Sequence, residues 1–192
     1  MKSCGVILSG GKSSRMGKNK SLLSLHNKPV IEHIALVLNE CTDNIIVIAN
    51  ETDKYSFLGL PVYKDRYKNK GPLGGLEAAL HYSKADVFLF AACDMPFINQ
   101  DVYNYLLDQL NDYDAVIPIY ENKMHPLAGI YRRSILPKIQ QQLDMDDRKV
   151  RNLFKYMKVN YIHRFAPLSE NLLQRHFFNM NFPAQYEQAK LL

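Results

Sequence analysis

The sequence predicts an α/β fold: one mostly parallel sheet with helices on both faces. Three observations predict it. Continuous apolar runs at 6–8, 44–49 and 86–92 read as strands buried on both faces. Helical apolar faces lie between them, first Val30, Ile31, Ile34, Val37 and Leu38, then Leu73, Leu76, Ala79 and Leu80. Strand, loop, helix and strand within the first ~50 residues make a βαβ unit, which is parallel and right-handed.

The remaining elements follow in order. Val6-Ile7-Leu8 breaks at Ser9-Gly10-Gly11 and enters a loop carrying Lys12, Arg15, Lys18 and Lys20. Lys28-Pro29-Val30 opens the first helix, with proline at or near its first turn. Residues 60–63 are a short extended piece ending at Lys64-Asp65. Gly71-Pro72-Leu73-Gly74-Gly75 is a second glycine-rich turn, and Pro72 starts the next helix. The run at 86–92 leads straight into Cys93-Asp94-Met95-Pro96. A helix is expected over 99–111 and a strand over 114–119, whose Pro118 suggests an edge or a strand end. Lys123-Met124-His125-Pro126 reads as a loop, 127–131 as a returning strand, and 133–143 and 148–157 as helical. Residues 159–165 read as a strand, and 184–190 as a closing helix. No repeat, low-complexity segment or linker interrupts this alternation. The expectation is therefore a single domain, 1–192, three-layer α/β/α and Rossmann-like.

Composition narrows the function. Hydrophobic residues make up 47% and charged residues 22%, ordinary for a soluble globular chain. No apolar run approaches the ~20 residues of a membrane span. The N-terminus lacks the pattern of a secretory signal, so a cytoplasmic address is expected. Cys4, Cys41 and Cys93 form no C-x-x-C pair or disulfide framework and read as small buried hydrophobes. The net charge of +5 suits an anionic ligand such as a nucleotide. It is too modest and scattered for nucleic acid.

A strand that ends in paired glycines and opens into a basic loop is suited to phosphates. Glycine admits close backbone approach and positive φ, and freed N–H groups can form an anion-binding concavity. Arg15 supplies a charged fork and Lys20 a point charge. The P-loop spacing is absent, because Val6 stands where its first glycine would be. The dinucleotide G-x-G-x-x-G array is absent too, since Gly10 and Gly11 are adjacent and the next glycine is Gly17.

What does match is G-G-x-x-x-R-M-G-x-x-K, Gly10 to Lys20. It resembles the signature of the GT-A-like nucleotidyltransferases, of nucleotide-diphospho-sugar transferase type. Gly71 to Gly75 resembles that family's G-P-L-[AG]-G turn, Cys93 to Pro96 its C-D-x-P element, and Asn179-Met180-Asn181-Phe182-Pro183 its C-terminal N-x-N-T-P. Within the superfamily the chain is most similar to the molybdenum cofactor guanylyltransferases. The resemblance implies transfer of GMP from GTP to the phosphate of molybdopterin, giving the guanine dinucleotide cofactor and pyrophosphate. It implies Mg²⁺ as cofactor, held by Asp94. It also implies GTP and the molybdenum cofactor as ligands, and cofactor-insertion proteins and acceptor molybdoenzymes as further partners, with no nucleic acid and no membrane.

Roles carry over by position. Arg15, Lys20 and Asp94 are the implied catalytic groups. The nucleotide contacts are Leu8, Ser9, Gly10, Gly11, Lys20, Asp65, Gly71, Pro72, Leu73 and Asp94. His125, Asn179 and Asn181 fall on the acceptor side. Each has a plainer alternative: Asp94 and Asp65 as turn acids, His125 as a surface-loop histidine, Asn181 as a helix cap. Three departures stand out: Asn19 where the family has Asp, Ser9 where it has Ala, and Phe182-Pro183-Ala184-Gln185 where it has T-P-E-[ED]. Two other readings remain open. One is a sibling cytidylyltransferase acting on the same pterin or another phosphorylated acceptor. The other is a non-catalytic nucleotide-binding module.

Overall fold

The computed structural model describes residues 1–10 and 19–192. Its centre is β1 (Ser3–Leu8). Cys4, Val6 and Leu8 point into one apolar layer and Ile7 into the other. Gly5 is required by α1 (Val30–Cys41): a Cβ there would lie 3.0 Å from Leu38 Cβ. A small hairpin of β2 (Ser24–Leu25) and β3 (Lys28–Pro29) precedes α1 and ends at Pro29, the residue before the helix.

β4 (Asn44–Ile48) lies parallel to β1, and β5 (Val62–Tyr63) parallel to β4. Between them a 3₁₀ segment, Thr52–Leu58, buries Tyr55. Then α2 (Gly71–Tyr82) crosses to β6 (Val87–Ala92), parallel to β1 on its other side. α3 (Gln100–Asp108) is capped by Asn99, whose side chain accepts the Asp101 N–H at 2.7 Å.

β7 (Ala115–Tyr120) forms a hairpin with β8 (Lys123–Met124), and β9 (Ile130–Arg132) inserts antiparallel between β6 and β7. After α4 (Leu136–Asp144) and α5 (Val150–Leu153), β10 (Val159–Ile162) closes the far edge, parallel to β7. α6 (Glu170–His176) and α7 (Pro183–Ala189) complete the chain. The sheet order is β10-β7-β9-β6-β1-β4-β5.

Helices α1, α3, α6 and α7 cover one face, and α2, α4 and α5 the other. The expected mostly parallel sheet in three layers is present. Each Ile or Leu fully buried in these layers is worth about 1.5–3 kcal/mol. No helix among the described residues is long and apolar enough to cross a membrane.

Four details differ from the sequence reading. β7 is interior, not an edge. It tolerates Pro118 because β9 pairs only with Ala115 and Val116, leaving Pro118 beyond that ladder. The strand expected over 127–131 is a 3₁₀ turn, Pro126–Ala128, before β9. The helices at 133–143 and 148–157 each include a 3₁₀ turn. The 3₁₀ segment at Tyr55 and helix α6 were not anticipated.

Candidate active site

Three parallel strands finish at one level. Leu8 pairs with Ile48 on one side and Ala92 on the other. The residues that follow, Ser9-Gly10, Ala49-Asn50 and Cys93-Asp94, therefore leave the sheet along the same edge. β1 is also where the winding reverses, with β4 and β5 to one side and β6 to the other. Open α/β sheets bind ligands at such a reversal.

Asp94 lies just past β6 and is half-buried. Its carbonyl accepts the Met180 N–H at 2.8 Å, so the C-terminal segment backs it directly. Burial raises its carboxyl pKa, and Lys20, its own backbone amide and Lys123 oppose the rise. Lys20 opens a short 3₁₀ turn, Lys20–Leu22, capped by Asn19. Its Nζ donates to Asn181 Oδ1 at 2.9 Å. Lys20, Asp94 and Asn181, named from three distant motifs, thus share one site. Asn181 is not the cap of α7, since Phe182 occupies that position.

Asp65, after β5, is fixed from two sides. Asn50 Nδ2 donates to its carboxylate at 3.0 Å, and Asn50 Oδ1 accepts its N–H at 3.3 Å. Burial raises its pKa and the Asn50 bond opposes the rise. The next residue, Arg66, donates to the fully buried Glu77 of α2 at 2.6 Å, which pins this turn to the helix. Gly75 allows the same helix close to the site. A Cβ there would sit 3.0 Å from Leu8 Cδ2 and 3.8 Å from an Asp65 carboxylate oxygen.

Other predicted residues are placed less directly. Gly71 has φ +60°, which favours glycine, and α2 starts there with Pro72 in its first turn. Leu73 is wholly buried and packs in the apolar layer under α2 instead of facing a ligand. The Leu8 carbonyl accepts the Cys93 N–H, and the Ser9 N–H donates to the Ile48 carbonyl. Both backbones are engaged in holding the strand ends. Gly10 is exposed, its φ is not positive, and among the described residues nothing lies within 4 Å of where its Cβ would be. Gly11 and Arg15, like Lys12 and Lys18, fall outside the described residues.

On the acceptor side, Asn179 is tied to its own segment, its Nδ2 donating to the Phe177 carbonyl at 2.7 Å. His125 is buried rather than a surface-loop residue, its ring 4.7 Å from that of Phe177. Burial and Lys123 push its pKa down to about 4, so it is neutral near pH 7. His176 lies behind it, pushed down to about 3 by burial and by His125. Its Nδ1 accepts the Asn99 N–H at 2.9 Å, which puts the ring proton on Nε2.

Sequence reasoning missed Asn50, Tyr55 and Lys123. Asn50 had the same signal as Asp94, a polar residue just past a buried parallel strand. Lys123 was hidden by the loop reading. It lies opposite Tyr120 in the β7–β8 hairpin and adds positive charge toward Asp94. Tyr55 carried no signal. Of the three cysteines expected to be buried, Cys4 is, while Cys41 and Cys93 are partly exposed; burial raises Cys4 and Cys41 to about 11 and Cys93 to about 12, so none is a ready thiolate.

Residues 5–162 match the family model of the MobA-like NTP transferase domain. The chain belongs to this family. It is 41% identical to a probable molybdenum cofactor guanylyltransferase of Carboxydothermus hydrogenoformans, covering 95% of this chain and 92% of the relative. It is 38% identical to a protein of the same name from Clostridium perfringens strain 13, covering 97% and 96%. In fold it is similar to molybdopterin-guanine dinucleotide biosynthesis protein A of Archaeoglobus fulgidus, with TM-score 0.80 at 23% identity over 98% and 97% of the two chains. In this MobA-like transferase, Lys20, Asp65 and Asp94 fall inside the matched span, whereas Met180 and Asn181 reach the site from beyond it.

Proposed function

We infer that this enzyme transfers GMP from GTP to the terminal phosphate of molybdenum-bearing molybdopterin, forming the guanine dinucleotide cofactor and pyrophosphate. The meeting of Lys20, Asn181 and Asp94 where the sheet reverses carries the reaction class. The names of the relatives at 41% and 38% identity supply base and acceptor.

An oxygen of the acceptor phosphate attacks the α-phosphorus of GTP. The bond from that phosphorus to the oxygen bridging to the β-phosphate breaks, and pyrophosphate leaves. The protein's work is alignment and charge neutralisation. Lys20, held by Asn181, places its ammonium against the phosphates, and Arg15 adds a second cation. Asp65, held by Asn50, presents an acceptor suited to the guanine N1–H and N2 amine. His125, neutral and buried, shapes the acceptor side and carries no charge there.

Among the described residues no three acids, histidines or cysteines cluster as a metal cage. Mg²⁺ fits without one, because it binds through one or two carboxylates, substrate phosphates and water. Asp94 is the residue that would hold it, and the ion would polarise the α-phosphate and screen the leaving pyrophosphate.

The test is pyrophosphate release that requires both GTP and molybdopterin. Thermal stabilisation by GTP above CTP, ATP and UTP is expected in the presence of Mg²⁺. Preferential stabilisation by CTP would overturn the guanine assignment.

A further inference from the structure

Tyr55 has no role in the reaction as derived so far, yet its hydroxyl occupies an unusual position. It lies 2.7 Å from Ser9 Oγ, 2.8 Å from Asn19 Nδ2 and 3.1 Å from Ser21 Oγ. Ser9 leaves β1, and Asn19 and Ser21 flank Lys20. The hydroxyl therefore joins the last residues of β1 to the segment that presents the lysine. Tyr55 is 1% exposed and Ser21 is 0% exposed, so water does not compete for these bonds.

The donor count closes. Ser21 Oγ donates to Asn19 Oδ1 at 2.7 Å, so its proton is already committed. Tyr55 then donates to Ser21 and accepts from Asn19 Nδ2 and Ser9 Oγ. One donor and two acceptor positions are all that a phenol has. The Asn19 Oδ1 is doubly engaged as well, because it also accepts the Ser21 N–H at 3.2 Å and caps the turn that begins at Lys20. Buried hydrogen bonds linked in this way hold their members rigidly, and one lost member leaves others unpaired.

We propose that Tyr55 is a positioning residue for nucleotidyl transfer, setting the placement of Lys20 through Asn19 and Ser21. Asn19, which replaces the family's usual acid, acts in this node as an amide donor and cap. The inference rests on the reading of Lys20 as the phosphate-binding cation. It also explains Ser9, whose hydroxyl serves Tyr55.

The test is a double-mutant cycle of Tyr55→Phe with Lys20→Ala, read as pyrophosphate release on GTP and acceptor. Tyr55→Phe removes one oxygen and keeps the ring in the core. It is expected to lower kcat/KM for GTP about 10- to 100-fold, mainly through kcat, with a small change in Tm. In the Lys20→Ala background the same change should cost less than about twofold, because the two act through one group. Asn19→Ala should behave like Tyr55→Phe and carries the same comparison if the Phe variant folds poorly. Asn19→Asp still accepts from Ser21 but draws the Tyr55 proton away from Ser21, so it should recover only part of the activity lost in Asn19→Ala.

Normal turnover in Tyr55→Phe with an inactive Lys20→Ala would overturn the positioning role and leave the reaction assignment standing. Losses that multiply in the double variant would also overturn it. Normal turnover in Lys20→Ala would sink the reading of the site itself.

Discussion

Lys20 Nζ donates to Asn181 Oδ1 at 2.9 Å across 161 residues of sequence. The N-terminal lysine is aimed by an amide from the C-terminal segment. Lys20→Ala should lower kcat/KM by about 100-fold or more, as loss of a preorganised cation does. Asn181→Ala keeps the cation but frees it. The expected loss is about 10- to 100-fold, the range for one hydrogen bond to a charged group. Initial rates of pyrophosphate release for both variants check the order.

Burial raises the carboxyl pKa of half-buried Asp94, and Lys20 and Lys123 oppose the rise. Asp94→Asn removes the charge and keeps the shape. Turnover should fall by about 10³-fold or more, the scale of losing a metal-binding carboxylate. The fold no longer carries a desolvated carboxylate, so Tm should hold or rise. A large drop in Tm would show that the aspartate serves structure first.

Two glycines of α2 should respond differently to alanine. Gly75→Ala puts a methyl 3.0 Å from Leu8 Cδ2. Overpacking of this kind costs about 1–3 kcal/mol, or roughly 2–10 °C in Tm for a chain of this size. The same methyl meets Asp65 only in ordinary contact at 3.8 Å, but the displaced Leu8 ends β1 at the site, so the KM for GTP should rise. Gly71→Ala meets nothing within 4 Å among the described residues but forces alanine to φ +60°, a strain of about 1–2 kcal/mol. Its effect should be confined to stability. Melting curves with and without GTP separate the two.

The buried histidines predict how stability responds to acid. His125 and His176 titrate near 4 and 3 in the folded protein, below the ordinary 6.5, because burial disfavours their charged forms. Between those values the unfolded chain binds protons that the folded chain refuses. Stability is therefore full above pH 6.5 and declines as pH falls toward 4. Urea midpoints taken at steps from pH 7.5 to 4.5 should follow that slope, and His125→Gln should flatten it. A midpoint independent of pH would contradict the burial of both rings.

The parts legible in the sequence were those with a strong local pattern. β1, β4 and β6 are buried on both faces, so each is a short, continuous apolar run, told from a buried helix by its length and its β-branched and aromatic residues. Asp94 was legible because it follows such a run. Asn50 follows one too and was overlooked, since an amide draws less notice than an acid. α6 was not legible: in seven residues it buries only Leu173 and His176, too few to set a period. The Tyr55 node was invisible for another reason. It joins residues 9, 19, 21 and 55 through polar atoms, and hydrogen bonds between distant residues leave no periodicity.

The bond from Met180 N–H to the Asp94 carbonyl has a consequence for biosynthesis. On the ribosome, the strands emerge and can pair well before the tail does. Asp94 and Lys20 gain their backing only when the final stretch leaves the exit tunnel. A nascent chain should therefore acquire its sheet early and its grip on nucleotide last. A release-arrested chain ending at Phe178 should be compact to protease yet unable to retain GTP, whereas one extended past Leu192 by a linker should retain it.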